Sequence, residues 1–468
     1  MKKTNLKKHV TGIFMVLLWT VSLNSILFSQ PLATGHSKFL GCAGDGSIPA
    51  SFDTYWNQIT PENSGKWGSV EGTRDQYNWG TLDQTYNYAK QRGFLFKFHT
   101  LIWGGQQPSW ISNLSLEEKA EEVEEWIRLV GERYPDMDMV DVVNEPLPSH
   151  QPPDGRNGHA NYKDALGGNG QTGWDWVIWS FEKARQYMPN AKLLINDYGI
   201  INDNNATNAY LQVINLLKDR GLIDGIGVQG HRFEFESAST TTLENNLTKL
   251  AATGLPVYIS EFDLGNYGDS GTPNDATQLN LYKKIFPVIW NHPGVQGITL
   301  WGYVQNSIWQ NTCYLIRSDG SERPAMEWLR SFLTLPGGYR THQSGNWNDV
   351  NTWERYDGTT WVYPAATIPS PGSSMISIQK GHTVTVTASD SADHVVINTG
   401  AELVINPGVT FLVKNGEGVD LTTNGKISNF GTFTQEDSAT LKAMTGSRYV
   451  HNQDGGVIPG FLWMYGST

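Results

Sequence analysis

Between residues 39 and 335, short apolar runs alternate with stretches in which apolar positions recur every three or four residues. The runs at 39–43, 56–60, 94–99, 139–144, 193–197, 225–229, 257–261 and 297–301 have the length of buried strands, which makes eight. The stretches between them carry helix grammar. Ser115 and Glu118 form a capping box ahead of Ala120, Val123, Trp126, Ile127 and Val130, and Pro135 lies beyond the stop. Leu211, Ile214 and Leu217 close on Gly221, and Leu243, Leu247 and Leu250 close on Gly254. Eight strand-helix units in about 300 residues predict an α/β fold, a (β/α)8 TIM barrel, over residues 30–335. A doubly wound open sheet competes with it, but that fold usually carries a glycine-rich phosphate turn after its first strand, and this sequence has none there.

At Pro336-Gly337-Gly338 the pattern changes. Residues 336–344 read as a linker, and from Gly345 the chain turns into short β-branched runs with Gly, Asn and Pro corners. Asn398-Thr399-Gly400 and Asn406-Pro407-Gly408 recur eight residues apart, each ahead of an apolar strand. Residues 345–468 therefore predict a smaller all-β accessory domain, β-solenoid-like or a sandwich rather than a barrel. A disordered tail would leave too many Val, Ile and Leu unburied. The apolar Phe461-Leu462-Trp463-Met464 stands near the last residue without an obvious cap, which is the expectation for a fragment of something longer.

Ahead of the barrel, Lys2, Lys3, Lys7 and Lys8 precede an apolar stretch that ends at Ser29-Gln30-Pro31. This predicts a signal peptide over 1–29 and a chain that is secreted, periplasmic or at the cell surface. As a membrane anchor the stretch is poor, being near the lower limit of about 17 residues and interrupted by Thr20, Ser22, Asn24 and Ser25. Phe39-Leu40-Gly41-Cys42 has the look of a lipoprotein box, but a buried strand explains it better. With 34 basic against 46 acidic residues the net charge is −12, which repels nucleic acid and anionic membranes and favours a neutral substrate. The 18 Trp and 19 Tyr suit either sugar stacking or large aromatic cores. Cys42 and Cys313 are the only cysteines, and on neighbouring elements they are candidates for one disulfide.

In a TIM barrel, reactive groups stand at the carboxyl ends of strands, so the polar residue ending each run is the one to read. The third run ends in His99, the fourth in Asn144-Glu145-Pro146, the sixth in Gln229-Gly230-His231 and the seventh in Ser260-Glu261. One glutamate after a strand is usually a solvated loop residue. Two, flanked by amides and imidazoles, fit a division of labour at a glycosidic bond: one carboxyl protonates the leaving oxygen, the other meets the oxocarbenium-like carbon. His231 would orient the second carboxylate, Asn144 would bond a sugar 2-hydroxyl, and Trp301 and Trp309 would wall the ring. This chemistry needs no cofactor. The 11 His show no paired ligand spacing, so no metal site is expected.

The motifs at the strand ends resemble those of glycoside hydrolase family 10, the endo-β-1,4-xylanases, over residues 38–335. The similarity is carried by Glu62-Asn63 with Lys66-Trp67, His99-Thr100-Leu101-Ile102-Trp103, Asp141-Val142-Val143-Asn144-Glu145 and Ile195-Asn196-Asp197-Tyr198. It continues through Gly225 to His231, Ser260-Glu261-Phe262-Asp263, and Ile298 to Gly302 with Trp309. The resemblance implies that Glu145 is the acid/base and Glu261 the nucleophile of a retaining double displacement on xylan and xylo-oligosaccharides. It implies that His231, Gln229 and Asn144 support the covalent sugar, and that Glu62, Asn63, Lys66, His99, Trp103, Trp301 and Trp309 line the subsite holding it. Retention would set the two carboxyls about 5 to 5.5 Å apart.

Two positions depart from the family pattern: Gly104 where His usually follows Trp103, and Gly65 where Met is usual. An insertion over 148–173 follows the acid/base position and is expected to cross the surface rather than act as a lid. Other readings are a hydrolase of another β-glycan such as β-1,3-xylan, or a non-catalytic sugar-binding barrel. Trp347, Trp353, Trp361 and Tyr363 give the accessory domain either core filler or stacking faces for insoluble polysaccharide, with core preferred.

Overall fold

The structure is a computed structural model that describes residues 31–468 apart from 35, 236–237, 267–270, 334–336, 358–359, 417–418, 445 and 464–465. The expected signal peptide, 1–29, lies outside the described residues, as do the start of the expected linker and Leu335. Eight parallel strands close into a barrel: β1 (Phe39–Ala43), β2 (Gln58–Thr60), β3 (Leu95–Ile102), β4 (Met139–Asn144), β5 (Lys192–Asp197), β6 (Gly225–Val228), β7 (Val257–Phe262) and β8 (Val295–Leu300). The ring is sealed where Phe39, Leu40, Gly41 and Cys42 of β1 pair with Gly297, Ile298, Thr299 and Leu300 of β8. Helices outside and side chains inside cover both faces of such a sheet, so its strands read as continuous apolar runs, and β1, β4 and β7 are buried throughout.

The differences from expectation are at strand ends. Trp56 does not open β2, because its N–H closes the short helix Phe52–Tyr55 on the Phe52 carbonyl. β3 runs three residues further than the apolar pattern, through Thr100 and Leu101 to Ile102. The helix Leu116–Arg133 is capped as its sequence requires: Ser115 Oγ accepts from the Glu118 N–H, and Glu118 Oε2 accepts from the Ser115 N–H. Its Trp126 lies between Trp67 (5.9 Å, 10°) and Trp79 (5.7 Å, 9°), so part of the tryptophan excess is barrel filler. Cys42 and Cys313, the candidates for a disulfide, are buried free thiols. Cys42 is fixed in β1 between Ile59 and Leu300, and the Cys313 thiol sits against Thr312.

The second unit is built from three sheets of mostly parallel strands. Ile376–Ile378, Val395–Ile397, Leu421–Thr423, Leu441–Ala443 and Phe461–Trp463 stack along one sheet. Thr383–Val386, Glu402–Ile405, Lys426–Asn429 and Arg448–His451 stack along the second, and Asp390–Ala392, Thr410–Val413 and Thr432–Gln435 along the third. Valine, isoleucine, leucine and phenylalanine from all three fill one core. Residues 336–344 are not simply a linker: Tyr339–Thr341 forms a strand paired with Trp353–Tyr356 and Ile376–Ile378. Trp347 and Trp353 are fully buried, 5.2 Å apart edge to face, with Trp353 Nε1 donating to the Trp347 carbonyl.

Candidate active site

The carboxyl ends of β3 to β7 bring their polar residues to one place. Glu145 leaves β4 at φ +54°, a left-handed conformation that a non-glycine residue adopts at a cost. Its N–H is held by the Asn196 carbonyl at 2.8 Å. Glu145 Oε1 accepts from Gln229 Nε2 at 3.0 Å and Asn144 Nδ2 at 3.3 Å, and Oε2 accepts from Trp103 Nε1 at 3.1 Å. Glu261, on β7, accepts from Asn196 Nδ2 at 2.7 Å and pairs with His231 Nε2 at 3.2 Å. One amide joins the two glutamates' surroundings: Asn196 Nδ2 donates both to Glu261 Oε1 and to Asn144 Oδ1, the latter at 2.8 Å.

The two carboxyls, both almost fully buried, have opposite electrostatics. Burial, reinforced by the charges of Asp197 and Glu261, lifts Glu145 to about 7 in spite of its hydrogen bonds. Burial acts on Glu261 in the same direction, but the His231 hydrogen bond and the electrostatic influence of His99, His231 and Lys97 outweigh it, and its pKa falls to about 2. His231 is itself buried, which opposes its charge, yet Asp263 on Nδ1 (2.9 Å) and Glu261 on Nε2 raise it to about 10. At neutral pH the site therefore holds one carboxyl near its midpoint and one firmly ionised beside an imidazolium.

The other expected residues surround this pair. His99 bonds Asp141 Oδ2 through Nδ1 at 2.9 Å, and Trp301 presents its ring edge-on to His99 at 5.2 Å. Lys66 donates to Asn63 Oδ1 (3.1 Å) and Gln106 Oε1 (2.6 Å) and lies over the Trp103 ring at 5.2 Å. Burial lowers the Lys66 pKa and raises that of Glu62, which feels the charges of Asp45, Lys66 and Glu261. Trp309 is 48% exposed at the rim, donates to Asp263 Oδ2 at 2.9 Å and meets the His231 ring at 4.8 Å. It thus braces His231 as well as offering an open face.

Residues that reading the strand ends did not single out complete the site: Asn196, Asp263, Asp141, Lys97 and Gln106. Lys97, fully buried, donates to Asp141 Oδ2 at 2.6 Å. A signal existed for it, since Lys97 and His99 are polar at a spacing of two within an apolar strand and so share one face. Asp263 stands two residues after Glu261 in the same way. Both glycine departures have a steric cause. A Cβ at Gly65 would lie 2.3 Å from the His99 carbonyl oxygen, and one at Gly104 would lie 2.4 Å from that of Gln151 and 2.6 Å from that of Pro152. The insertion is therefore not a strand of chain merely crossing the surface; part of it is seated on Gly104.

Comparison with known proteins bears on the barrel as a whole. A sequence model described as glycosyl hydrolase family 10 matches residues 30–332. The endo-1,4-beta-xylanase B of Cellvibrio japonicus is 45% identical over 296 residues, covering 62% of this chain and 45% of that protein. The beta-1,4-xylanase of Dictyoglomus thermophilum is 30% identical over 267 residues, covering 54% of this chain and 73% of that protein. The chain thus spans less than half the length of the first of these. Among solved structures, xylanase 10B from Thermotoga maritima superposes with a TM-score of 0.56 at 25% identity, over 64% of this chain and 96% of that one. A GH10 structure from Paenibacillus barcinonensis gives 0.58 at 23% identity, over 66% and 98%, a likeness of fold.

Proposed function

The chain belongs to glycosyl hydrolase family 10, and from that premise we propose that it hydrolyses internal β-1,4-xylosidic bonds of xylan with retention of anomeric configuration. The observation that carries this reading is the pair of buried carboxyls, Glu145 at about 7 and Glu261 at about 2, tied into one amide network. The named activities of the Cellvibrio and Dictyoglomus relatives support the choice of xylan.

In the first step, ionised Glu261 attacks the anomeric carbon as the glycosidic oxygen takes the proton of Glu145, so the C–O bond breaks, the aglycone leaves as an alcohol and a glycosyl ester forms on Glu261. A water then attacks the same carbon from the side opposite the ester, and as its oxygen bonds, Glu145, now a carboxylate, takes its proton; the ester bond breaks, Glu261 leaves as a carboxylate and Glu145 is protonated again. His231 holds the Glu261 charge before attack, while Asn144, bonded to Asn196, is placed for the sugar 2-hydroxyl. The half-exposed face of Trp309 supplies stacking area at the rim, while Trp301 is buried against His99.

Following product anomers from soluble xylan by NMR tests the reading: β-configured reducing ends should appear first and mutarotate later. Initial α-products, or no turnover, would overturn it. Glu261→Ala should abolish hydrolysis. Glu145→Ala should slow it by about 10²- to 10⁴-fold on xylan and least on substrates with activated leaving groups. The reading extends to an exported chain, supported by the leader grammar of residues 1–29. It also extends to insoluble polysaccharide, supported by Tyr363, which is 43% exposed and stacked on His342 at 3.7 Å. Loss of xylan pull-down in full-length Tyr363→Ala is the expected result for that contact.

A further inference from the structure

The insertion after the acid/base is joined to Trp103 and Gly104 by a set of hydrogen bonds. Gly104 N–H donates to the Gln151 carbonyl at 2.8 Å, and Ala160 N–H donates to the Gly104 carbonyl at 2.9 Å. Tyr162 is fully buried, edge-on to Trp67 at 6.1 Å. Its hydroxyl accepts from the Trp103 N–H at 3.2 Å and has two acceptors for its one proton, the Trp103 carbonyl and Gln107 Oε1, each at 2.8 Å. Both backbone polar groups of Trp103 are thus tied to one phenol. The indole of the same residue donates to Glu145 Oε2. A side chain at 104 would displace the carbonyls of Gln151 and Pro152 on which this attachment rests.

We propose that Tyr162 is a positioning residue for proton transfer: by fixing the backbone of Trp103, the insertion holds the indole against Glu145, in a place left open by the absence of a side chain at Gly104. This rests on the reading of Glu145 as the acid/base. The physical consequence follows from which form the indole favours. An N–H donor stabilises the carboxylate, so it lowers the proton affinity of Glu145 and steadies the charge that appears on it as the leaving group takes the proton. Asp197 and Glu261 face Glu145 from β5 and β7 and act against ionisation, while Gln229 donates from just beyond β6; His150 of the insertion, paired with Asp197 Oδ1 at 2.5 Å, and Lys66 interact with the Glu145 charge as well.

Tyr162→Phe removes the hydroxyl and keeps the ring against Trp67. Expected is a kcat on xylan lowered about ten-fold, the effect of loosening one hydrogen bond to a charged group, with little change on an aryl xylobioside bearing a good leaving group. The basic limb of the pH profile should also move up by about half a unit, since Glu145 has lost a donor to its carboxylate. Gly104→Ala, which pushes Gln151 and Pro152 away without touching Tyr162, should give the same signature and decides the matter if Tyr162→Phe does not fold. Equal losses on both substrates with an unmoved basic limb, in either folded variant, would overturn the inference while leaving the xylanase reading intact. An inactive wild type would instead remove that reading.

Discussion

At the scale of single residues, the site's design is a separation of two identical side chains by their neighbours. Glu145 is buried near carboxylates, and Glu261 is buried near an imidazolium and Lys97. Activity requires Glu145 protonated and Glu261 ionised, so the rate should be flat above about 2 and fall as pH rises through about 7. A pH profile of kcat/KM on xylan checks this, and the basic limb should be missing in Glu145→Ala. Asn196 deserves its own test because it donates to both sides of the network. Asn196→Ala should lower kcat by about ten- to a hundred-fold, more than it changes KM, since the bonds it loses position charge rather than bind substrate. Much of this was legible in the sequence: Glu145, Glu261, Asn144, Gln229 and His231 all end apolar runs, where a barrel exposes side chains to its mouth. Asn196 and Asp263 were visible inside quoted motifs, but their roles depend on distances between β4, β5 and β7 that no local pattern encodes. Gly104 was legible only as an absence, because what fills its place arrives from an insertion about 50 residues later in the chain.

At the scale of elements, legibility followed the strength of the local signal. The eight strands were read correctly because a strand covered on both faces has no polar alternation to confuse it. The errors lie where one residue serves two elements: Trp56 ends a helix rather than starting β2, and Tyr339–Thr341 joins a sheet although Pro336-Gly337-Gly338 reads as punctuation. Strand pairing with residues far along the chain decided that second case, and it has no local signature. The helix Leu116–Arg133 is the opposite case, fully specified by its own sequence. It carries Trp126 between Trp67 and Trp79, and Trp126 Nε1 donates to the Leu101 carbonyl at the end of β3. Ser115→Ala removes the Oγ that accepts from the Glu118 N–H, while the Ser115 N–H to Glu118 bond can persist, and should cost about 1 kcal/mol of stability. Thermal denaturation should show a lower midpoint with the pH profile of activity unchanged, since neither Ser115 nor Glu118 reaches the site.

For the whole molecule, the active site and the stability of the barrel pull against each other, and pH exposes the conflict. Glu145 is raised from 4.5 to about 7 on folding, so between those values the folded chain holds a proton that the unfolded chain has released. Stability must therefore fall as pH rises through that window, by about 3 kcal/mol for this group when both states are ionised. His231, raised from 6.5 to about 10, contributes stability that is complete below 6.5 and is lost as pH rises toward 10, extending the decline. Glu261 works the other way: lowered from 4.5 to about 2, it stabilises above 4.5 and loses that contribution as pH falls toward 2. These three groups place their combined optimum near pH 4.5, and the net charge of −12 adds repulsion in the same direction as pH rises. The thermal midpoint should accordingly be higher at pH 5 than at pH 8. Glu145→Gln, which keeps the shape of the side chain but cannot ionise, should be inactive yet show a shallower decline between those two pH values. A decline parallel to that of the wild type would mean that Glu145 ionises without cost in the folded barrel. In that case burial would not be what keeps its proton available for catalysis near neutrality.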